Sequence, residues 1–226
     1  VFNRKPARPT KPEWPRGAEI DAETNLVKSS GLFDVSYYLL NGGDVAEAQV
    51  DPVEHFCIFG WREGRRPNPF FDPRWYCQRY IGGIEYASNP LVHYIRLGER
   101  AGFHPISYID PAWYRRHYGL AGAESSLGHY LKHRRTQRVS PNPAFELPFY
   151  LDRHRVEIGP NRDPFMHFVR HGAALRDHDP SPVFDSARYR REVMAFDRTV
   201  RTGLMAHEMR VPLIHWLDGL IPSGTP

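Results

Sequence analysis

Five histidines of this chain fall in one register. His55, His93, His167 and His215 each end a Pro-x-x-His pattern followed by an aromatic residue, and His129 does the same with Ser126 in the proline position. Imidazole is the side chain best suited to metal ligation and to proton transfer near neutral pH. His129 with His133, and His167 with His171, are i,i+4 pairs that set both rings on one helical face, a spacing that suits zinc. Acids follow closely only after the second pair, so His167, His171, Asp177 and Asp179 form the candidate metal set. Against that chemistry stands the repetition itself. Metal ligands do not recur once per unit without a second ligand type. The register histidines are therefore expected in the core, hydrogen-bonded to a backbone carbonyl or to an aspartate of a neighbouring unit. Trp75 and Trp113, one unit apart, offer ring faces that could stack on sugars, with core packing as the competing reading. Arg62, Arg65 and Arg66 could grip an anionic polymer, or simply be solvated.

The elements that must position these residues are legible as a repeat. An apolar residue, an acid and a tyrosine four residues after the acid recur at Phe33-Asp34-Tyr38, Phe71-Asp72-Tyr76, Ile109-Asp110-Tyr114, Phe145-Glu146-Tyr150 and Phe184-Asp185-Tyr189. Successive starts lie 38, 38, 36 and 39 residues apart, and the acid precedes its histidine by 21, 21, 19, 21 and then 30 residues. Each unit reads as a helix–turn–helix pair. Asp72-Pro73 and Asp110-Pro111 open the first helix, and Asp51-Pro52, Asn89-Pro90 and Asp163-Pro164 open the second. In each, the side-chain oxygen caps orphan N–H groups while proline at the first turn loses no helical bond. Asp34 and Asp185 are expected to cap likewise. Gly60, Gly98 and Gly172, five residues after the histidines, are expected as left-handed C-caps. The fold expected is all-α: about five helix–turn–helix units stacked as a short solenoid.

The expected boundaries follow. Residues 1–18, rich in proline and basic residues, read as a linker or tail, and residues 19–221 as the helical-repeat domain. Its units run near 30–69, 70–108, 109–144, 145–183 and 184–221, with 19–30 as a lead-in helix and 222–226 as a frayed tail. The last unit carries an insertion, Val193 to Arg210, as terminal units of an array often do. Thirty basic against 26 acidic residues is a mild excess without a gathered basic face, so nucleic acid is not the expected partner. Cys57 and Cys77 form neither a disulfide framework nor a zinc site and read as reduced, buried thiols of a cytosolic protein. No stretch is long and apolar enough to span a membrane, and no signal peptide is visible. A start at Val1 leaves open a processed or excised segment of a longer product.

The unit resembles one found beside glycosyltransferase domains in large bacterial proteins of surface-polysaccharide assembly. That unit runs SGLFD-x-x-x-Y, then DVA, then DP-x-x-HY-x-x-x-G-x-x-EGR-x-PNP-x-FD. Here Ser30 to Asp34 read SGLFD, Asp44 to Ala46 read DVA, Asp51 to Phe56 read DPVEHF and Gly60 to Pro69 read GWREGRRPNP, followed by Phe71-Asp72. The third unit departs, with Arg134 for the glycine and no EGR, and the fourth has Glu146 for Asp. The resemblance implies a non-catalytic scaffold or docking module whose partner is a protein or a neighbouring glycosyltransferase domain. It would sit in the cytoplasm or at the periphery of the inner membrane, with the cell surface left open. The alternatives are a module binding capsular or other anionic polysaccharide, and a part of a glycosyltransferase. Asp177-His178-Asp179 has the D-x-D form of metal-dependent transferases, but in a proline-flanked connector instead of after a strand. No catalytic residue and no cofactor are expected in these 226 residues.

Overall fold

The computed structural model describes residues 17–84, 88–172, 178–197 and 210–221. Most of the expected N-terminal linker and the tail at 222–226 lie outside these residues. Among the described residues the chain is all-helical, with two isolated antiparallel bridges, Asn68 with Phe71 and Ser181 with Phe184. No helix among them is long and apolar enough to cross a membrane.

The lead-in helix α1 (Ala18–Ser30) stops at Gly31, whose φ of 71° is the left-handed conformation that glycine tolerates best. The first unit holds α2 (Val35–Leu40), α3 (Gly43–Ala48) and α4 (Pro52–His55). The second holds α5 (Pro73–Tyr80) and α6 (Pro90–His93), and the third α7 (Pro111–His117) and α8 (Ser126–His133). The fourth holds α9 (Leu147–Ile158) and α10 (Pro164–His167), and the fifth α11 (Ser186–Glu192) and α12 (Pro212–Leu220). Of the Val193 to Arg210 insertion, a short 3-10 turn, Met194–Phe196, is described, and residues 198–209 lie outside.

Caps start these helices as the sequence implies. Asp34, Asp72, Asp110 and Asp185 accept from backbone N–H groups of the first turn of α2, α5, α7 and α11. Asp51, Asn89, Ser125 and Asp163 do the same for α4, α6, α8 and α10. Glu146 makes no such side-chain bond. Each capping side chain satisfies one or two donors that the helix leaves orphaned, a contribution of about 1 kcal/mol per cap. Two of these caps are themselves held by α1. Lys28 Nζ lies 2.6 Å from Asp51 Oδ2, and Asn89 donates to Glu23 at 3.2 Å.

The second helix of a unit is not a plain α-helix. After α4, α6 and α10 the chain widens into π-helical turns, Phe56–Gly60, Tyr94–Gly98 and Phe168–Gly172. The expected left-handed glycines are also displaced. Gly60 and Gly98 have no positive φ; the left-handed residues lie four positions later, at Gly64 (78°), Gly102 (78°) and Arg138 (56°). Gly60 and Gly98 are glycine for a steric reason. A Cβ on either would come within 2.1 Å of the hydroxyl of Tyr38 or Tyr76. Where the register glycine is replaced, by Arg134 and by Leu220, the helices α8 and α12 stay α-helical. Glycine and the π turn therefore go together: the wider turn carries backbone under the tyrosine, and only glycine fits there.

Connectors close the units. The backbone N–H of Asp34, Asp72, Asp110 and Glu146 donates to the carbonyl of Pro67, Pro105, Pro141 and Pro180, at 2.9 to 3.2 Å. Asn68 and Asn142 are buried in these connectors, each donating to a carbonyl some 35 residues earlier, Leu32 and Tyr108 respectively. One hydrophobic core runs through all units, built on buried tyrosines and phenylalanines. Neighbouring units meet through it, as where Phe70 faces Tyr130 edge-on at 5.0 Å. A contact also skips units: α12 returns to the second unit, where Trp75 Nε1 donates to Asp218 at 2.6 Å.

Candidate functional site

The register histidines share one partner. Nδ1 of His55, His93, His129, His167 and His215 lies 2.8, 2.7, 2.8, 2.9 and 3.0 Å from the hydroxyl of Tyr38, Tyr76, Tyr114, Tyr150 and Tyr189. The expected link to an aspartate or carbonyl is corrected: the bond joins the two helices of the same unit, tyrosine from the first and histidine from the second. His215 also reaches an aspartate, with Nε2 3.3 Å from Asp197, and that residue is not a repeat cap. Burial holds the imidazoles of His55, His93 and His129 below their usual range. Burial, with His171 nearby, pushes His167 down to about 4. Burial raises the tyrosines as well. In the first four units, neutral phenol bound to neutral imidazole is a structural hydrogen bond at pH 7.

The fourth unit keeps this bond but differs in what surrounds it. In the second unit, Tyr80 stacks on Phe103 at 4.2 Å with planes 2° apart, and its hydroxyl accepts from the His104 backbone N–H. In the third, Tyr118 takes the position of Tyr80 and accepts from Ser140 N. In the fourth unit the same two positions are histidines. His154 lies four residues after Tyr150 and His178 two before Pro180, and their rings stack at 3.9 Å and 11°. Helix α9, at 12 residues, outlasts α5 at 8 and α7 at 7, and the extra turn brings in Glu157. Glu157 Oε1 is 4.0 Å from His154 Nδ1, and its Oε2 is 4.0 Å from His167 Nε2. The Tyr150 hydroxyl is also 3.3 Å from His178 Nδ1, so one phenol orients two imidazoles. His154, Glu157 and His178 each bring a ligand atom within 4.8 Å of the others.

This cluster is not the metal set that sequence spacing suggests. His167 is at its edge and His171 is 5.5 Å from His167, ring to ring. Asp179 instead accepts from Ser186 N at 2.8 Å, and Asp177 lies outside the described residues. His154 and Glu157 carry no sequence motif. Only aligning the fourth unit on the second, residue by residue, would have drawn attention to His154 in the place of Tyr80.

The expected contact residues are largely taken up by the fold. Trp75 and Trp113 are half-buried; Trp75 binds Asp218, and Trp113 stacks on His117 at 4.5 Å. Arg65 forks onto Asp44 at 2.8 and 2.7 Å, so the arginine of the EGR motif holds the aspartate of the DVA motif. The guanidinium in turn lowers the Asp44 carboxyl to about 2. Arg66 binds the cap Asp72, and Arg62 donates to the Ile58 carbonyl while lying over the Trp61 ring. Both cysteines are buried thiols outside any disulfide, and burial pushes the Cys57 thiol up to about 11. The basic side chains that line an opening lie elsewhere. Arg135, Arg162 and Arg170, all exposed, join His171 along a cleft of about 560 Å3 among the first, third and fourth units.

Compared with known protein families, with curated proteins and with solved structures, the chain finds no match.

Proposed function

We propose that the chain is a non-catalytic helical-repeat scaffold of a bacterial surface-polysaccharide assembly system, and that it docks a glycosyltransferase domain or another protein of that system. In this reading the five units form a tightly wound short solenoid, with the return of α12 onto the second unit as its clasp. The observation that carries the reading is the use made of the reactive side chains. The repeat's aspartates cap helices and its histidines bind the tyrosine of their own unit. The motifs quoted above supply the polysaccharide context. The test pairs the chain with a purified glycosyltransferase domain from such a system, in sedimentation velocity, alongside a sugar-transfer assay with nucleotide-sugar donors. A stable complex without transfer by the chain alone is expected; transfer by the chain alone, or no complex, overturns the reading.

A second reading, binding of an anionic polysaccharide, is favoured by the arginine-lined cleft among the first, third and fourth units. It moves the contact from Trp75, Trp113, Arg62, Arg65 and Arg66 to Arg135, Arg162 and Arg170. Salt-sensitive binding of an acidic polysaccharide, lost when those three arginines become serine, would favour it over the scaffold.

A further inference from the structure

We infer that the fourth unit holds a divalent transition metal of the zinc class, bound by His154, Glu157 and His178 with His167 as the fourth ligand. The inference stands apart from the scaffold reading. It rests first on the internal comparison that the repeat makes possible. Tyr80 and Phe103 join the first helix of the second unit to its connector by ring stacking. At the same two places the fourth unit has two imidazoles, equally parallel but now offering nitrogen donors. Aromatic packing alone needs no such change, since phenyl rings fill the place in the sister unit.

The geometry then supplies a complete donor set. The three donor atoms lie within 4.8 Å of one another, and tetrahedral ligation at 2.0–2.1 Å needs them about 3.3 Å apart. Rotation of the Glu157 side chain, which is exposed, and a small shift of the two rings close that gap. His167 Nε2, 4.0 Å from Glu157 Oε2, points at the same space from the second helix. Ligating histidines usually give their other ring nitrogen to a partner that fixes the ring. Here the Tyr150 hydroxyl does so for both His167 and His178. Two imidazoles or more with one carboxylate suit zinc and its neighbours better than calcium or magnesium, which prefer oxygen donors. A bound ion would tie the first helix, the second helix and the connector of one unit together.

The experiment uses the untagged 226-residue chain, stripped of metal and titrated with Co2+ as a spectroscopic stand-in for Zn2+. One equivalent with tetrahedral visible bands, displaced by Zn2+, and a raised melting temperature are expected. The double variant His154→Tyr/His178→Phe installs the pair that the second unit already folds with. It should keep the helical circular dichroism and lose affinity by more than about a hundredfold, beyond the cost of losing an outer partner. Glu157→Gln, an exposed change that spares the fold, should weaken binding, and His129→Ala/His133→Ala should leave it unchanged. Absence of a saturable one-equivalent site, or binding that survives the double variant, overturns the inference.

Discussion

The hydroxyl of Tyr38 lies 2.1 Å from where a Cβ on Gly60 would stand, so these two residues can occupy their places only because one of them has no side chain. Tyr38 cannot swing aside, because the same hydroxyl is bound to His55 in the core. Gly60→Ala should therefore destabilise the protein by about 1–3 kcal/mol, although alanine is the better helix former. Combined with Tyr38→Phe, which removes the offending oxygen, the alanine should cost much less than it does alone. A double-mutant cycle in urea reads this coupling directly; strictly additive effects would show that the close approach does not constrain the fold.

Acid should loosen the array. A histidine whose pKa is depressed by folding takes up its proton on unfolding, so its stabilising effect is complete above its unfolded value of 6.5 and drains away below it. For His167 the loss runs down to about pH 4, and His55, His93 and His129 shift in the same direction. Melting temperature followed from pH 7.5 to pH 4 should fall steeply across this window. Replacing His93 by Gln should flatten the slope; an unchanged slope would place the acid sensitivity elsewhere.

Arg134 and Asp163 form an ion pair out of water, at 3.1 Å, with Arg134 over the Phe70 ring. Arg134→Ala should cost about 3–5 kcal/mol, because a buried carboxylate is left without its counter-ion. Burial already pushes the Asp163 carboxyl up, and removing the arginine pushes it further. Measured against the parent at the same pH, that variant should therefore lose less stability at pH 5 than at pH 7, as the acid protonates. Arg134→Met with Asp163→Asn removes both charges and keeps a capping oxygen, as Asn89 shows in the second unit. The double variant should melt close to the parent. Chemical denaturation of the two variants at pH 7 and pH 5 separates these outcomes.

Asp218 ties α12 to the second unit through Trp75 Nε1 and Arg79. Asp218→Ala should cost about 1–3 kcal/mol and leave Trp75 wetter. Hydrogen exchange in α12 should speed up while α6 and α10 stay protected. Uniform acceleration throughout would mean that the last helix does not open as a separate piece.

Much of the fold was legible because helix starts are local. Asp72-Pro73 and Asn89-Pro90 announce themselves in two residues, and the tyrosine and histidine recur often enough to mark the repeat. The partner of the histidine was not legible, since Tyr76 and His93 meet only once two helices pack. Nor was the reason for Gly98: glycine signals a left-handed turn and a close approach equally well, and the contact with Tyr76 decides. The arginines of the connectors looked available because their acceptors, Asp44 and Ile58 among them, are set by tertiary folding. Of the fourth unit's cluster, His167 carried a pattern, whereas His154 and Glu157 gain meaning only from the longer α9.

The bond from Asp34 N–H to the Pro67 carbonyl, repeated at Pro105, Pro141 and Pro180, has a bearing on how such a chain can change length. Each closure overlaps the border that similarity between the repeats would draw, like shingles laid with a lap. Duplication of one full period regenerates every lap wherever the duplication starts. Loss of a few residues from one connector, by contrast, opens the unit behind it and misaligns the unit ahead. Arrays of this kind should therefore vary in whole periods and resist small deletions around their prolines, while the 3-10 segment after α11, beyond the last closure, is where irregular length is best tolerated.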